Sequence, residues 1–229
     1  MSLQRLLTAS ALALVLSTGA ALADSAYINQ VGGSYGDTAT IAQTAVHSNN
    51  NTASVTQDWA SYKSGAAITQ TGAKENASIY QNGSNDSATV NQTGGNDTAF
   101  VSQGYGSNSE YALLKQLGFS DTGSIIQNGT SDQAYITQTG YGDNAGISQS
   151  GGYNVASITQ GFSADNAASV YQNGLSNSAT VDQSSAIGDT ANVSQIGNNN
   201  FADVIQSGVG KVASISQSGN NGSAIVTQH

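Results

Sequence analysis

The stretch NASIYQNGSNDSATVNQTGGNDTAFVSQ, residues 76–103, repeats one five-residue phrase three times. The phrase reads Ala, any residue, Ile or Val, any residue, Gln, and a break rich in Gly, Asn and Ser separates its copies. Aligned on the final Gln, it occurs eighteen times between Gln30 and Gln228, and eleven of the seventeen intervals are 11 residues long. A single repeat array therefore spans the chain from Asp24 to His229.

The spacing of Ala, Ile or Val, and Gln within each copy predicts a β-strand. Residues at i, i+2 and i+4 share one face of a strand, whereas they scatter around a helix. β-branched residues favour strands, and breaks such as NGSND and TGGND favour turns. Repeats this short bury a face only by stacking on their neighbours. We therefore predict an all-β fold, a β-solenoid of about nine two-strand coils of roughly 22 residues each, with cross-β packing on assembly.

The Gln that ends each phrase predicts a side-chain ladder through the stack. An amide can donate to the coil on one side and accept from the coil on the other, which a carboxylate cannot do because it has no donor. The residues predicted to form this ladder are Gln81, Gln92, Gln103, Gln127, Gln138, Gln149, Gln160, Gln172, Gln183, Gln195, Gln206 and Gln217.

The position six residues before each Gln points to the same face at the strand entrance. It predicts a second, Asn ladder, formed by Asn154, Asn166, Asn177 and Asn200. In seven consecutive copies the position is acidic: Glu75, Asp86, Asp97, Glu110, Asp121, Asp132 and Asp143. With two strands per coil the acids sort into two columns, one on each side of the solenoid.

Two interpretations of these acids stay open. Asp is a common turn former, because its side chain bonds nearby backbone N–H groups. Alternatively, the seven residues form an acidic gate: like charges about 4.8 Å apart repel, which would raise the carboxyl pKa values in the stacked state and favour assembly at mildly acidic pH. Bound divalent cations would relieve the same repulsion.

The first 23 residues have the character of a secretory signal peptide. Arg5 precedes an apolar run, and the small-residue sequence Ala21-Leu22-Ala23 precedes Asp24. We expect residues 1–23 to be removed and residues 24–229 to be exported. Exported proteins with a thin core usually contain disulfides, yet this chain has no Cys. The absence of Pro leaves every backbone N–H free for a strand ladder.

The composition argues against several functions. Lys63, Lys74, Lys115 and Lys211 are the only cationic side chains after the leader, against 14 acidic residues, so we expect no nucleic-acid partner and no membrane insertion. The only His residues are His47 and His229, and no Ser or Thr has a base at a fixed spacing. We expect neither enzyme activity nor a cofactor.

The repeats resemble the curlin repeat, which reads approximately Ser-x5-Gln-x-Gly-x2-Asn-x-Ala-x3-Gln. NGLSNSATVDQ matches it through Gly174, Asn177, Ala179 and Gln183, and IGNNNFADVIQ matches through Gly197, Asn200, Ala202 and Gln206. The resemblance implies a subunit of an extracellular functional amyloid, a curli-like fibre at the bacterial cell surface that serves biofilm matrix and adhesion. It also implies a homopolymer, a related curlin subunit as partner, and export through an outer-membrane channel with chaperones.

Two features depart from the major subunit of that family. No non-repeat targeting segment follows the leader, and the Ala before Ile or Val in nearly every copy is more similar to the minor, nucleating subunit. The bulk and nucleating roles both stay open. The last phrase, AIVTQH, runs to His229 without an atypical polar unit, which predicts extension by another chain.

The alternative function is a monomeric, secreted β-solenoid that binds calcium or ice. The sequence GGSYGD at residues 32–37 is similar to a calcium-binding nonapeptide repeat, although it occurs once and the period is eleven. An ice-binding face would need flat rows of Thr, and the outward positions beside the Ile/Val row are mixed. We expect the fibre subunit rather than either alternative.

Overall fold

The computed structural model describes residues 11–16, 24–31, 35–44, 50–58 and 61–229. Throughout these residues the regular structure is β-strand, with no helix and hence no helix that could cross a membrane. Parallel strands stack into a solenoid of two main sheets, and the predicted all-β solenoid is confirmed.

Consecutive strands alternate between the two sheets, because each coil passes once through each of them. The first sheet contains, in order, β2 (Ser25–Gln30), β4 (Thr52–Gln57), β6 (Asn76–Gln81), β8 (Thr98–Gln103), β10 (Thr122–Thr130), β12 (Asn144–Gly152), β14 (Ala167–Leu175), β17 (Thr190–Asn198) and β20 (Val212–Ser218). The second sheet contains β1 (Ala11–Leu16), β3 (Thr38–Gln43), β5 (Gly65–Ala73), β7 (Ser87–Gly95), β9 (Tyr111–Gln116), β11 (Gln133–Gln138), β13 (Val155–Gln160), β15 (Ser178–Asp182), β18 (Phe201–Gln206) and β21 (Ser223–Gln228). Two short strands, β16 (Ala186–Ile187) and β19 (Gly208–Val209), pair with each other in the turns.

The coils are slightly longer than the predicted 22 residues. The solenoid has about 8 turns, about 23 residues apart. The extra length lies in the turns rather than the strands, because the spacing between ladder Gln residues is 13 or 14 residues before Gln70 and mostly 11 after it. The extra residues do not shift the strand register, because Gln still faces Gln in neighbouring coils, as in the pairs Gln81↔Gln103 and Gln92↔Gln116.

Two apolar rows form the core between the sheets. Along β6 the side chains alternate, with Ala77, Ile79 and Gln81 buried and their neighbours partly or fully exposed. The same alternation recurs coil after coil, so that Ala lies above Ala and Ile or Val above Ile or Val. The buried members of these rows, from Ala39 to Ile215, are at most 6% exposed, so the interior is well packed although it is only two apolar residues deep per strand. In the end coils Ala26, Ile28, Ala224 and Val226 are only partly buried.

Each turn ends at a residue with positive φ, immediately before the position six residues ahead of the ladder Gln. Lys74, Asn96 and Ser120 have φ of 59°, 59° and 63°. A left-handed residue redirects the chain from one sheet toward the other, and Asn and Ser tolerate that conformation better than bulky residues do. The turn geometry therefore fixes which residue is the first to face inward in the next strand unit.

The predicted signal peptide lies mostly outside the described residues, namely at positions 1–10 and 17–23. Its remaining segment is strand β1, which pairs in parallel with β3 and adds one strand to the second sheet. In this register Leu16 lies opposite Gln43. Cleavage before Asp24 stays a prediction, and it would leave β3 as the edge of the second sheet.

Glycine in the turns allows the coils to approach closely, which predicts a position-specific effect of Ala. Gly151 has φ of 112°, and a Cβ there would overlap the carbonyl oxygen of Gly174 in the next coil. We expect Gly151→Ala to destabilise the fold by about 2 kcal/mol or more. Gly146 lies on the same strand with open space around it, so Gly146→Ala should be neutral or mildly stabilising.

The two alanine variants can be compared by denaturant titration, with the circular dichroism of the folded β-structure as the measured signal. Equal midpoints for Gly151→Ala and Gly146→Ala would contradict the close approach of backbones at this turn.

Candidate functional site: the interior polar ladders

The ladder Gln residues form two continuous rows of side-chain hydrogen bonds, one in each sheet. In every step from Gln30 to Gln217 and from Gln43 to Gln228, the Nε2 atom donates to the Oε1 atom of the Gln in the next coil at 2.7–3.2 Å. All these bonds run in the same direction along the solenoid. The structure thus brings together all twelve Gln residues that the sequence singled out.

The same Nε2 atoms also join the two sheets to each other, which sequence reasoning missed. Gln81 donates to the carbonyl oxygen of Gly65 at 3.0 Å, and Gln127 donates to that of Tyr111 at 3.0 Å. In each case the acceptor lies at the start of a strand in the opposite sheet. Each ladder Gln from Gln43 to Gln206 therefore uses both of its N–H groups, one along the stack and one across it.

The inward columns six residues before each Gln form a second type of ladder. A side-chain oxygen at this position accepts the backbone N–H of the equivalent residue in the next coil: Asp121 N–H donates to Asp97 Oδ1 at 3.0 Å, and Asn200 N–H donates to Asn177 Oδ1 at 3.1 Å. These contacts join successive coils rather than residues of one turn. Asp and Asn are equivalent for this first bond.

The Asn residues make a further bond that an ionised carboxylate cannot make. Asn154, Asn177 and Asn200 donate from Nδ2 to the carbonyl oxygens of Gly174, Gly197 and Gly219, at 2.8–3.0 Å. Asn166 donates in the same way to the carbonyl oxygen of Ala186 at 3.3 Å. The second side-chain atom at this position therefore faces an acceptor, so a donor fits there.

The acidic residues divide into two groups according to whether a donor reaches their second oxygen. Asp86 Oδ2 and Asp143 Oδ2 accept from the hydroxyls of Ser107 and Ser163, both at 2.6 Å. No donor meets hydrogen-bond geometry at the buried second oxygens of Asp97, Asp121 and Asp132, or at either carboxyl oxygen of Glu75 and of Glu110. The backbones of Gly94 and Gly129 lie near the two glutamates and lower their pKa only in part. Five of the seven acids therefore carry unsatisfied buried oxygens, which is costly for an ionised carboxylate.

Burial raises the pKa of all seven carboxyl groups. The pKa of Glu75 rises from 4.5 to about 8 and that of Glu110 from 4.5 to about 9, because both side chains are buried and then because neighbouring carboxylates repel them. The pKa of Asp97 rises to about 7 and that of Asp121 to about 6, again chiefly through burial.

The pKa values of the remaining three acids, Asp86, Asp132 and Asp143, are also raised, and burial is again the first cause. Hydrogen bonds lower the pKa of each in part, including those from Ser107 to Asp86 and from Ser163 to Asp143. Loss of water is therefore the main cause for all three, and repulsion from Asp37 and Asp165 adds a smaller part for Asp86 and Asp143.

The described residues give little support for metal binding. In that part of the chain no group of three or more His, Cys, Asp or Glu side chains is placed to hold a metal ion. Residues 32–34 of the GGSYGD motif lie outside it. A proton is the simpler means of neutralising a buried carboxyl, and a protonated Asp or Glu could donate to the carbonyl oxygen that Asn contacts.

A two-sheet solenoid whose interior is a repeated set of polar ladders defines the chain as a structural repeat protein. The family model of the curlin associated repeat matches residues 64–94, 164–197 and 197–229. The chain therefore carries curlin repeats, and these repeats together with the β-solenoid fold support a curlin-like structural subunit. No curated protein matches the sequence in a direct comparison.

Proposed function

We propose that the chain is a secreted subunit of an extracellular, curli-like functional amyloid fibre at the bacterial cell surface. The fibre would serve biofilm matrix and adhesion to surfaces and to other cells. The observation that carries this proposal is the continuous Gln ladder, because every coil presents to its neighbour the same strand register and the same Gln amide. A surface that repeats itself along one axis is suited to extension by another copy.

The partners follow from the same proposal. Copies of this chain would form a homopolymer, and a related curlin subunit would share the fibre. The family resemblance implies export through an outer-membrane channel with the help of chaperones. The bulk and nucleating roles make different predictions: a nucleating subunit should assemble with little lag and shorten the lag of a second curlin, whereas a bulk subunit should need a seed.

The test is a seeding assay on the processed chain, residues 24–229, at micromolar concentration. Thioflavin fluorescence should rise after a lag that preformed seeds abolish, and fibre diffraction should give reflections at about 4.8 and 10 Å. A chain that folds but stays monomeric and does not respond to seeds would contradict the fibre function.

A further inference from the structure

The two ends of the solenoid are different edges, because the amide ladder is directional. At the C-terminal end, Gln217 and Gln228 donate from Nε2 only to the backbone carbonyls of Phe201 and Val212, whereas each Gln before them in its row also donates to a following Gln. The β20–β21 edge therefore presents amide N–H groups to whatever lies beyond it. The opposite edge, formed by β2 and β3, presents amide oxygens.

The oxygen-bearing edge holds a buried acceptor that lacks a partner. Gln43 Oε1 is buried without a hydrogen bond, unlike the Oε1 atoms of the Gln residues after it in the same row. Strand β1 pairs in parallel with β3 at this edge, with Leu16 in register with Gln43. A strand that carried Gln in that register would supply the missing N–H.

The two edges also differ in charge at the inward columns. The first coil has Asp24 and Asp37 there, and the second oxygen of each is buried without a partner. The last coil has Lys211 and Gly222 at the equivalent positions. Lys211 is the only cation in either column, and its backbone N–H continues the ladder by donating to Asp189 Oδ1 at 2.7 Å. Its column, continued by one coil into a second copy, would next contain Asp24.

We infer that the β20–β21 edge of one copy binds the β2–β3 edge of a second copy, with Lys211 facing Asp24 across the junction. This inference rests on the proposed fibre function and adds to it a polarity and a specific charge pair. Gln217 and Gln228 of one copy would donate to Gln30 and Gln43 of the next. Contact between like edges would instead oppose acid to acid or Lys to Lys, so charge selects the head-to-tail arrangement. Removal of the leader would uncover the β3 edge.

A charge-swap experiment tests the pairing with two single variants, each prepared as residues 24–229 by release from a cleavable fusion. Lys211→Asp places acid against acid at every junction, and Asp24→Lys places Lys against Lys. Each variant alone should elongate from its own seeds about tenfold more slowly than wild type at low salt. Mixed in equal amounts, the two variants offer a complementary pair at both kinds of junction, and elongation should return to near the wild-type rate.

Matched controls separate the junction from overall charge. Lys74→Asp and Asp203→Lys make the same charge changes at residues within the chain, on a turn and on the outward face of β18. These variants should elongate at nearly the wild-type rate, and mixing them should change little. Added salt should reduce the part of the defect that arises while the two edges approach, because both edges face solvent until they meet.

The outcomes distinguish this inference from the proposed function. Wild-type chain that forms no fibre overturns both. Wild-type fibres with unimpaired Lys211→Asp and Asp24→Lys variants, or impaired variants whose mixture is not rescued, overturn the junction while leaving the fibre function intact.

Discussion

Replacing Glu75 and Glu110 together by Asn is expected to shorten the assembly lag at pH 8 by at least about tenfold and to leave it nearly unchanged at pH 4. Both glutamates are buried, and no donor meets hydrogen-bond geometry at any of their four carboxyl oxygens. Asn at the equivalent position of other coils accepts one backbone N–H and donates to one carbonyl, as Asn177 does. The substitutions would thus replace unsatisfied acids by a side chain that this position already accommodates.

The sign of the pH effect follows from the direction of the pKa shifts. The folded-state pKa values of Glu75 and Glu110, about 8 and about 9, lie above the ordinary value of 4.5. Below that ordinary value the carboxyls are protonated in both states and impose no penalty. As pH rises, the unfolded chain releases these protons first, so stability is lost progressively until pH exceeds the folded-state values. Each glutamate that must ionise inside the stack therefore lowers the stability of the stacked state at pH 8.

The measurement is lag time and residual soluble chain across pH 4 to 9 for wild type and the double Asn variant. Wild-type assembly should slow steadily over this range, while the variant should show a much flatter profile. Asp203→Asn removes an acid from the outward face of β18 and serves as the control, with a pH profile close to that of wild type. Parallel pH profiles for wild type and the double variant would show that the buried glutamates do not control assembly.

Much of the fold was accessible from the sequence because one periodicity determines it. The spacing of Ala, Ile or Val and Gln predicted the strands, their inward faces and the stacking of like on like, as seen at Ala77, Ile79 and Gln81. The unit that ends at Gln116 has Leu114 where the other copies have Ile or Val, and it still forms the regular strand β9. Its extra residues lie in the preceding turn, since strand register is maintained by every neighbouring coil.

Other features of the ladders depend on three-dimensional packing that a repeat pattern does not specify. The bond from Gln127 to the carbonyl of Tyr111 depends on the distance between the two sheets, and the repeat pattern does not give that distance. The burial of Glu75 and Glu110, which is the main cause of their raised pKa values, could not be derived from strand alternation at the strand entrance. The roles of Ser107 and Ser163 could have been noticed in the sequence, because most copies have Gly at the equivalent position. In the structure, Ser at this position donates to an acid one coil away.

A single substitution in the amide ladder is the second large effect that we expect. Gln127→Glu keeps the size of the side chain but removes both N–H donors, so the Oε1 atom of Gln149 and the carbonyl of Tyr111 lose the bonds that now lie at 3.0 Å. At neutral pH it also introduces a charge into the interior, where Gln127 is fully buried. A charge that is buried without a partner costs about 3 to 5 kcal/mol, so assembly at pH 8 should slow by at least about a hundredfold.

The chain offers a closely matched control for this change. Gln133 lies on β11 in the neighbouring sheet, faces outward and is exposed, so Gln133→Glu makes the same chemical and charge change in water. We expect its assembly rate to remain within about twofold of wild type, since exposed substitutions rarely change stability by more than about 0.5 kcal/mol. At pH 4 the Gln127→Glu variant should recover in part, because a protonated carboxyl regains one donor for the ladder. Similar rates for the Gln127→Glu and Gln133→Glu variants at pH 8 would mean that the amide ladder contributes little to assembly and that backbone pairing with the aliphatic row is sufficient.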